Sequence, residues 1–399
     1  MHKRLLSTLI SSVLMSTAVS ASDSVSNDWK ASLITDFVYF DNSSTEFPEM
    51  EGFPMGGHMH GPKKGLQIGH WEAMLEGDLS DNLKARVNLA MSDPKDEDIE
   101  FGWEEVYLQT KGLGNGLKFT LGRSFTELGY HTSKHGHEWD FVDQPLIIDA
   151  IYGAHPTFDG ARMNWVAPTD QYLELGLEAS NGESFPAKGG ETISLFAKTG
   201  SDIDQSNSWL AGLGVYRAND VDNRTHPGHE HDGEEHEPTV FSGDVDIVTL
   251  GAVYKWAPMG NVKAQNFTLQ AEYFRKNEEG TWTFYDDDNS RYEHPSYDGK
   301  HSGFYAQAVY QWQPNWRGGY RFEKIQADNY IDGNKDELEH AGLGDEHKPK
   351  RQSLMLDYSP SHESRVRLQY NRDERSSTTD DQWYIQYIHS FGSHGAHAY

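Results

Sequence analysis

The stretch QYLELGLEAS, residues 171–180, decides how this chain is read. Leu173, Leu175, Leu177 and Ala179 alternate with Tyr172, Glu174, Gly176 and Glu178. A period of two puts the two sets on opposite faces of a β-strand. One face is hydrocarbon. The other carries two carboxylates, which a strand in lipid tolerates only where that side holds water.

The pattern recurs outward from there. In 263–275, Phe267, Leu269, Ala271 and Tyr273 oppose Asn266, Thr268, Gln270 and Glu272. Residues 304–312 set Phe304, Ala306, Ala308, Tyr310 and Trp312 outward. In 364–370, Val366 and Leu368 point out, Arg365 and Arg367 in; in 382–391, Trp383, Ile385, Tyr387 and Phe391 point out. Between 28 and 391 about sixteen such segments can be counted. Only 101–109 has an ambiguous phase, around Trp103 and Glu105.

The links between segments sort by parity. Short ones fall at 80–81, 112–115, 167–170, 200–207, 258–261, 313–315 and 360–362. Between them lie 42–64, 93–98, 124–160, 181–190, 219–243, 277–302, 328–350 and 374–380, and every link longer than ten residues belongs to this second class. In an up-and-down barrel one parity class is one rim. The pattern predicts an all-β fold: a transmembrane antiparallel up-and-down β-barrel of about sixteen strands, with short periplasmic turns and long extracellular loops. A soluble β-sandwich explains the alternation, but neither the sorted links nor the aromatic strand ends.

Composition agrees with export. His2, Lys3 and Arg4 precede an apolar run at 5–15 and a small-residue site, Val19-Ser20-Ala21, the plan of a secretory signal. The expected division is a signal peptide, 1–21, and a single barrel domain, 22–399. The apolar run is short for a membrane helix, which needs about 20 residues. Cysteine is absent, and aromatics make up 12% of the chain, as interfacial girdles require. A mean hydropathy of −0.74 suits strands that show lipid only every second side chain.

The link 124–160 is unlike a surface loop, because it contains WDFVDQPLIIDAIYG at 139–153. So apolar a segment has to pack, against the inner wall or a neighbouring subunit. A short helix at 146–152 would place Leu146, Ile147 and Ile151 towards the wall and Asp149 towards the pore.

Sixteen strands, parity-sorted loops and a long third loop folded into the lumen resemble the Gram-negative outer-membrane porins, of the general and substrate-selective type. The 140–153 segment is also similar to the phosphate-selective porin group, and the His-rich loops suggest a zinc-linked porin. The resemblance covers the mature chain at the level of architecture. It implies an outer-membrane homotrimer of water-filled barrels, each narrowed by its third loop. One departure is the end of the chain: the last strand stops at Phe391, with 392–399 beyond it and an aromatic Tyr399 at the terminus.

Parity turns Lys84, Arg86, Arg162, Arg317, Arg321, Arg365 and Arg367 inward, and all but Arg162 lie on one arc of wall. The third loop brings Glu127, Glu138, Asp140, Asp143 and Asp149. These twelve are the candidate constriction residues. Basic wall and acidic loop would set a transverse field, or the arginines pair with the loop and hold it; both readings stand. The net charge is −28, with acidic runs at 93–100, 230–237, 286–288 and 336–346. An acidic mouth concentrates cations, which argues against a phosphate channel. The other account is a solvated surface bridged to lipopolysaccharide by divalent ions.

Fourteen of the 20 histidines fall in long loops. His226, His229, His231 and His236 form the densest run, and His58, His60, His135 and His137 pair at the same spacing. Imidazole with carboxylate suits zinc, and also copper or nickel. These eight are the candidate metal ligands. Loosely bound Zn²⁺ is the one cofactor expected, and none is required. Polar surface decoration, or a charge switch near pH 6.5, would also produce such loops.

The leading expectation is a passive channel for small hydrophilic solutes that prefers cations, with metal capture at its mouth. A channel specific for sugars or anions is the alternative, for which inward Tyr172, Tyr305 and Tyr384 are compatible. An outer-membrane enzyme needs a nucleophile–base constellation, and no motif singles one out. The expected partners are lipid, lipopolysaccharide, divalent cations and the solute, with no nucleic acid.

Overall fold

The computed structural model describes residues 29–392 apart from 46, 49, 51, 54–60, 93–99, 154–155, 185, 227–229, 232–233, 236–237, 287–290, 336–337, 339–342 and 344–347. The expected signal peptide, His58, His60, His229, His236 and most of the acidic runs lie outside the described residues; of His226 and His231 only the backbone is described.

Sixteen antiparallel strands close into a barrel. They are β1 (Lys30–Asn42), β2 (Trp71–Ser80), β3 (Leu83–Ser92), β4 (Glu100–Thr110), β5 (Leu117–Phe125), β6 (Thr157–Val166), β7 (Tyr172–Ser180), β8 (Glu191–Asp202), β9 (Asn207–His226), β10 (Thr239–Trp256), β11 (Asn266–Asp286), β12 (Ser296–Gln313), β13 (Trp316–Asp332), β14 (Lys350–Tyr358), β15 (Ser364–Glu374) and β16 (Asp380–Gly392). Closure joins β1 to β16 from Ser32↔Gly392 to Asn42↔Gln382. The other edge of β1 is shared between β2 and the short strand Gly65–Ile68. Among the described residues no helix is long and apolar enough to cross a membrane.

The alternation in 171–180 is realised as expected: Leu175 is exposed on the outer face, and Glu174 and Glu178 are buried inside. One ambiguity is explained and one expectation is corrected.

First, the ambiguous phase in β4 has a structural cause. Pairing runs from Leu83↔Thr110 to Asn88↔Glu105 and then jumps to Leu89↔Trp103, so Glu104 is the extra residue of a β-bulge. Trp103 points out, whereas Glu104 and Glu105 both turn into the lumen. No period of two can describe both sides of Glu104.

Second, two long links are mostly strand. Segments assigned to 219–243 and 277–302, with the first five residues of 328–350, continue the β9–β13 wall, whose strands run 17 to 21 residues. A spanning strand needs about 9–11, so these strands continue past the bilayer for roughly 25–35 Å measured along the tilted strand, at about 3.3 Å per residue. Polarity inverts along the way. Lower β11 shows Leu269, Ala271 and Tyr273 outside and Gln270 and Glu272 inside; upper β11 shows Arg275 and Glu279 outside and Trp282 and Phe284 inside. In β10 the switch falls between outward Val248 and outward Asp246. Beyond the bilayer the outer face meets water and the inner face meets protein, so the hydrophobic effect reverses the pattern. A search for outward hydrocarbon stops where the lipid stops.

Candidate functional site: the third loop and the lumen wall

The third loop leaves β5 at Phe125 and re-enters the wall at Thr157. It contains a 3₁₀ turn, Gly136–Glu138, and the helix α1, Leu146–Tyr152, on the span expected from sequence. Pro145 starts α1 and Gly153, at φ 71°, ends it.

All seven α1 residues are buried. Leu146, Ile147 and Ile151 join an apolar core with Phe241, Phe274 and Trp282 of the tall wall. Met50 and Phe53 of the first loop, Ala187 of the fourth and Leu338 and Leu343 of the seventh complete it. The expectation that Asp149 faces the pore is therefore corrected: its side chain is enclosed, and Gln144 Nε2 donates to Oδ1 at 3.2 Å. Burial pushes the Asp149 carboxyl up to about 7; Arg351 and Arg375 oppose the rise, and Asp143 and Glu323 add to it.

Polar contacts fix the rest of the loop. Arg317 Nη1 meets Asp140 at 2.8 Å, and Arg321 Nη2 and Arg351 Nη1 meet Asp143 at 2.5 and 2.9 Å. Gln369 and Asn371 also donate to Asp143. Arg365 and Arg367 donate to the carbonyls of His137 (2.6 Å) and Trp139 (2.9 Å). On the other side Arg162 Nη1 meets Glu127 at 2.9 Å, Lys198 joins them, and Glu272 accepts from the backbone of Tyr130 and His131. Burial alone would raise Asp143; Arg351 and Arg321 outweigh it and hold the carboxyl well below the usual range. Lys198 and Arg162 do the same for Glu127.

Basic arc and acidic loop thus touch directly. The wall also supplies acids that sequence reading did not single out: Glu105 pairs with Arg86, Asp357 with Arg317 and Arg367, and Glu323 with Arg321 and Arg351. Arg351 itself was missed because it follows directly on the link assigned to 328–350. Its cue is inward parity with Ser353 and Asp357 on β14. Lys84 is paired with Glu76 at 2.7 Å, away from the loop. Glu138 accepts from the backbone of His135 and caps the 3₁₀ turn.

His135 and His137 do not reach an outer mouth. They sit on that turn, inside the barrel, against Glu72 of β2 and the bulged pair Glu104 and Glu105. Tyr305 and Tyr384 point inward but are enclosed, Tyr305 donating to Glu272 and Tyr384 packing on Phe40. Between the loop and the β7–β11 wall the gaps measure about 30 Å³ each, room for a water.

No family model matches the chain. It is 26% identical, over 92% of its length and 79% of the relative's, to an uncharacterized protein of Aquifex aeolicus (strain VF5). Among solved structures it is similar to the anion-selective porin of Comamonas acidovorans (TM-score 0.55, 13% identity, 92% of this chain and all of that one). It is likewise similar to OmpT, an outer membrane protein of Vibrio cholerae (0.54, 13%, 94% and 100%), and to Salmonella typhi OmpF (0.53, 11%, 92% and 97%). At such identities the likeness is one of fold, and that fold is the closed sixteen-stranded barrel of the porins.

Proposed function

We propose that this protein is an outer-membrane channel of a Gram-negative bacterium, passing small hydrophilic solutes by diffusion, with a preference for cations. The supporting observation is the inner face of the spanning strands. Glu72, Glu105, Glu178, Glu272, Arg321, Asp357 and Arg367 line it, behind an outer face of Leu, Val, Ile and aromatics. Charge of that density serves a lumen that admits water and polar solutes, not a closed hydrocarbon core. The third loop is held there by ion pairs and hydrogen bonds to the wall, which suits a narrow passage controlled by the loop.

Cation preference rests on the net charge of −28 and on carboxylates high on the wall. Asp220, Asp222, Asp244, Glu279 and Asp298 line a concavity of about 950 Å³ on the outer face of that wall, outside the lumen, and so add only to the negative potential around the mouth. Assembly as a homotrimer follows the porin fold, one of whose solved examples, Vibrio cholerae OmpT, is described in a trimer form. Planar-bilayer recording under a salt gradient tests the reading. A reversal potential favouring potassium is expected. Chloride preference would overturn the cation assignment, and absence of conductance from heat-modifiable, folded protein would overturn the channel.

A further inference from the structure

The bulge at Glu104 gathers an unusual set of side chains. Glu72 Oε1 lies 2.8 Å from His137 Nδ1, and Glu72 Oε2 lies 2.9 Å from His135 Nδ1. Glu104 Oε2 is 3.5 Å from His135 Nδ1, and Glu104 Oε1 is 2.8 Å from His70 Nε2. One donor atom each from Glu72, His135 and His137 falls within a 4.8 Å cluster, and so does one each from His70, Glu72 and Glu104. Around zinc, with Zn–N and Zn–O bonds of about 2.0–2.1 Å, tetrahedral ligand atoms stand about 3.3 Å apart. The observed separations bracket that value.

Two further observations point to a cation rather than to a purely hydrogen-bonded network. Asn88 is fully buried, and its Nδ2 is the shared neighbour of Glu72, Glu104 and His135 at 3.1, 2.9 and 3.3 Å, while its Oδ1 has no partner. His70 Nε2, though close to Glu104, is buried and makes no hydrogen bond of good geometry. Buried polar atoms seldom stay unsatisfied. Carboxylates are dense here: Glu72, Glu104 and Glu105 converge on His135, with Arg86 on Glu105.

We propose that Glu72, His135 and His137, supported by His70 and Glu104, bind a divalent transition-metal ion, zinc first, inside the barrel. The ion ties the third loop to β2 and β4. Its ligands come from three separate segments, so binding couples to the position of the loop, independently of whether the barrel conducts.

The test uses the full-length folded barrel and Zn²⁺ itself, titrated in competition with a chromophoric chelator. Wild type and a His229→Asn/His231→Asn control should both show one tight site per chain. Glu72→Gln/His137→Asn should lose it, weakening that site at least about a hundredfold, since it removes two ligands where loss of one outer-shell partner costs 10–100-fold. Zinc should also slow tryptic cleavage after Lys134 in wild type and not in that double variant. Equal zinc affinity in wild type and Glu72→Gln/His137→Asn overturns the proposal. If the double variant does not fold, X-ray absorption at the zinc edge of the wild-type barrel decides. At one equivalent, at least two imidazoles with a carboxylate oxygen support the site, and an oxygen-only shell overturns it.

Discussion

Replacing Asp149 by Asn isolates one carboxyl at the centre of the third loop. The side chain is enclosed, and its carboxyl is raised from 3.8 to about 7. The groups facing it are Gln144 on the loop, Arg351, Arg375 and Glu323 on or beside the wall, and Asp143. Below pH 3.8 the acid is protonated whether α1 is seated or displaced, and the pH has no effect. Between 3.8 and 7 the displaced form ionises first. The advantage of the seated, protonated form is therefore lost as pH rises, and it is gone above about 7. Three units at 1.36 kcal/mol each make this roughly 4 kcal/mol, about a thousandfold in the seating equilibrium. Asp149→Asn stays neutral and keeps the acceptor for Gln144. Amide exchange at Asp149 and Gly153, whose N–H groups bond to the carbonyls of Pro145 and Asp149, reports the seating directly. After correction for intrinsic rates, wild type should lose protection between about pH 4 and 7 and level off above that, while the variant stays flat. The variant should be the better protected at pH 8, by up to about a thousandfold. Equal pH profiles in the two proteins, or a less protected variant at pH 8, would refute the burial of a neutralised Asp149.

Asp143→Asn removes the anion shared by Arg321 and Arg351; because both keep Glu323, the cost should sit near the low end of a broken buried pair, about 3 kcal/mol, seen as faster proteolysis in the third loop and more frequent current fluctuations. Trp282→Ala opens the apolar core above the bilayer and should cost about 3–5 kcal/mol there. Heat-modifiable gel mobility of the barrel should survive it, and loss of both together would show that the two halves fold as one unit. Deleting 223–237 should lower zinc uptake under zinc limitation. Unchanged uptake would reduce the densest histidine run to surface decoration.

The spanning half of the barrel was legible because lipid and lumen impose opposite chemistry on alternate residues, as Leu175 and Glu178 show. Helix α1 was legible because hydrocarbon as dense as Leu146-Ile147-Ile148 must be covered somewhere. The upper wall was hidden because the same strands change solvent at Tyr273 and Arg275, so a constant rule fails midway along a constant structure. Pairing was hidden for a different reason. Parity showed that Arg317 and Arg367 point inward, but not that Asp357 stands between them, since that depends on register between strands; Glu323, two residues from Arg321 on the same strand, was legible by parity and was passed over. The His135 and His137 site was misplaced because loop membership says nothing about depth, and depth here comes from the loop folding inward. Its carboxylate partners depend on a single inserted residue, Glu104, which appears in the sequence only as a disturbed rhythm.

The raised wall from β9 to β13 also decides what an outside molecule can hold. Arg217, Asp244, Arg275, Glu279 and Lys300 are presented to the surroundings from hydrogen-bonded strands rather than from free loops. A surface ligand such as an antibody meets side chains from neighbouring strands spaced about 4.8 Å apart, never a run of consecutive residues. Serum raised against the linear peptide 275–286 should therefore bind the denatured chain and ignore intact cells, while serum raised against the folded barrel should do the reverse.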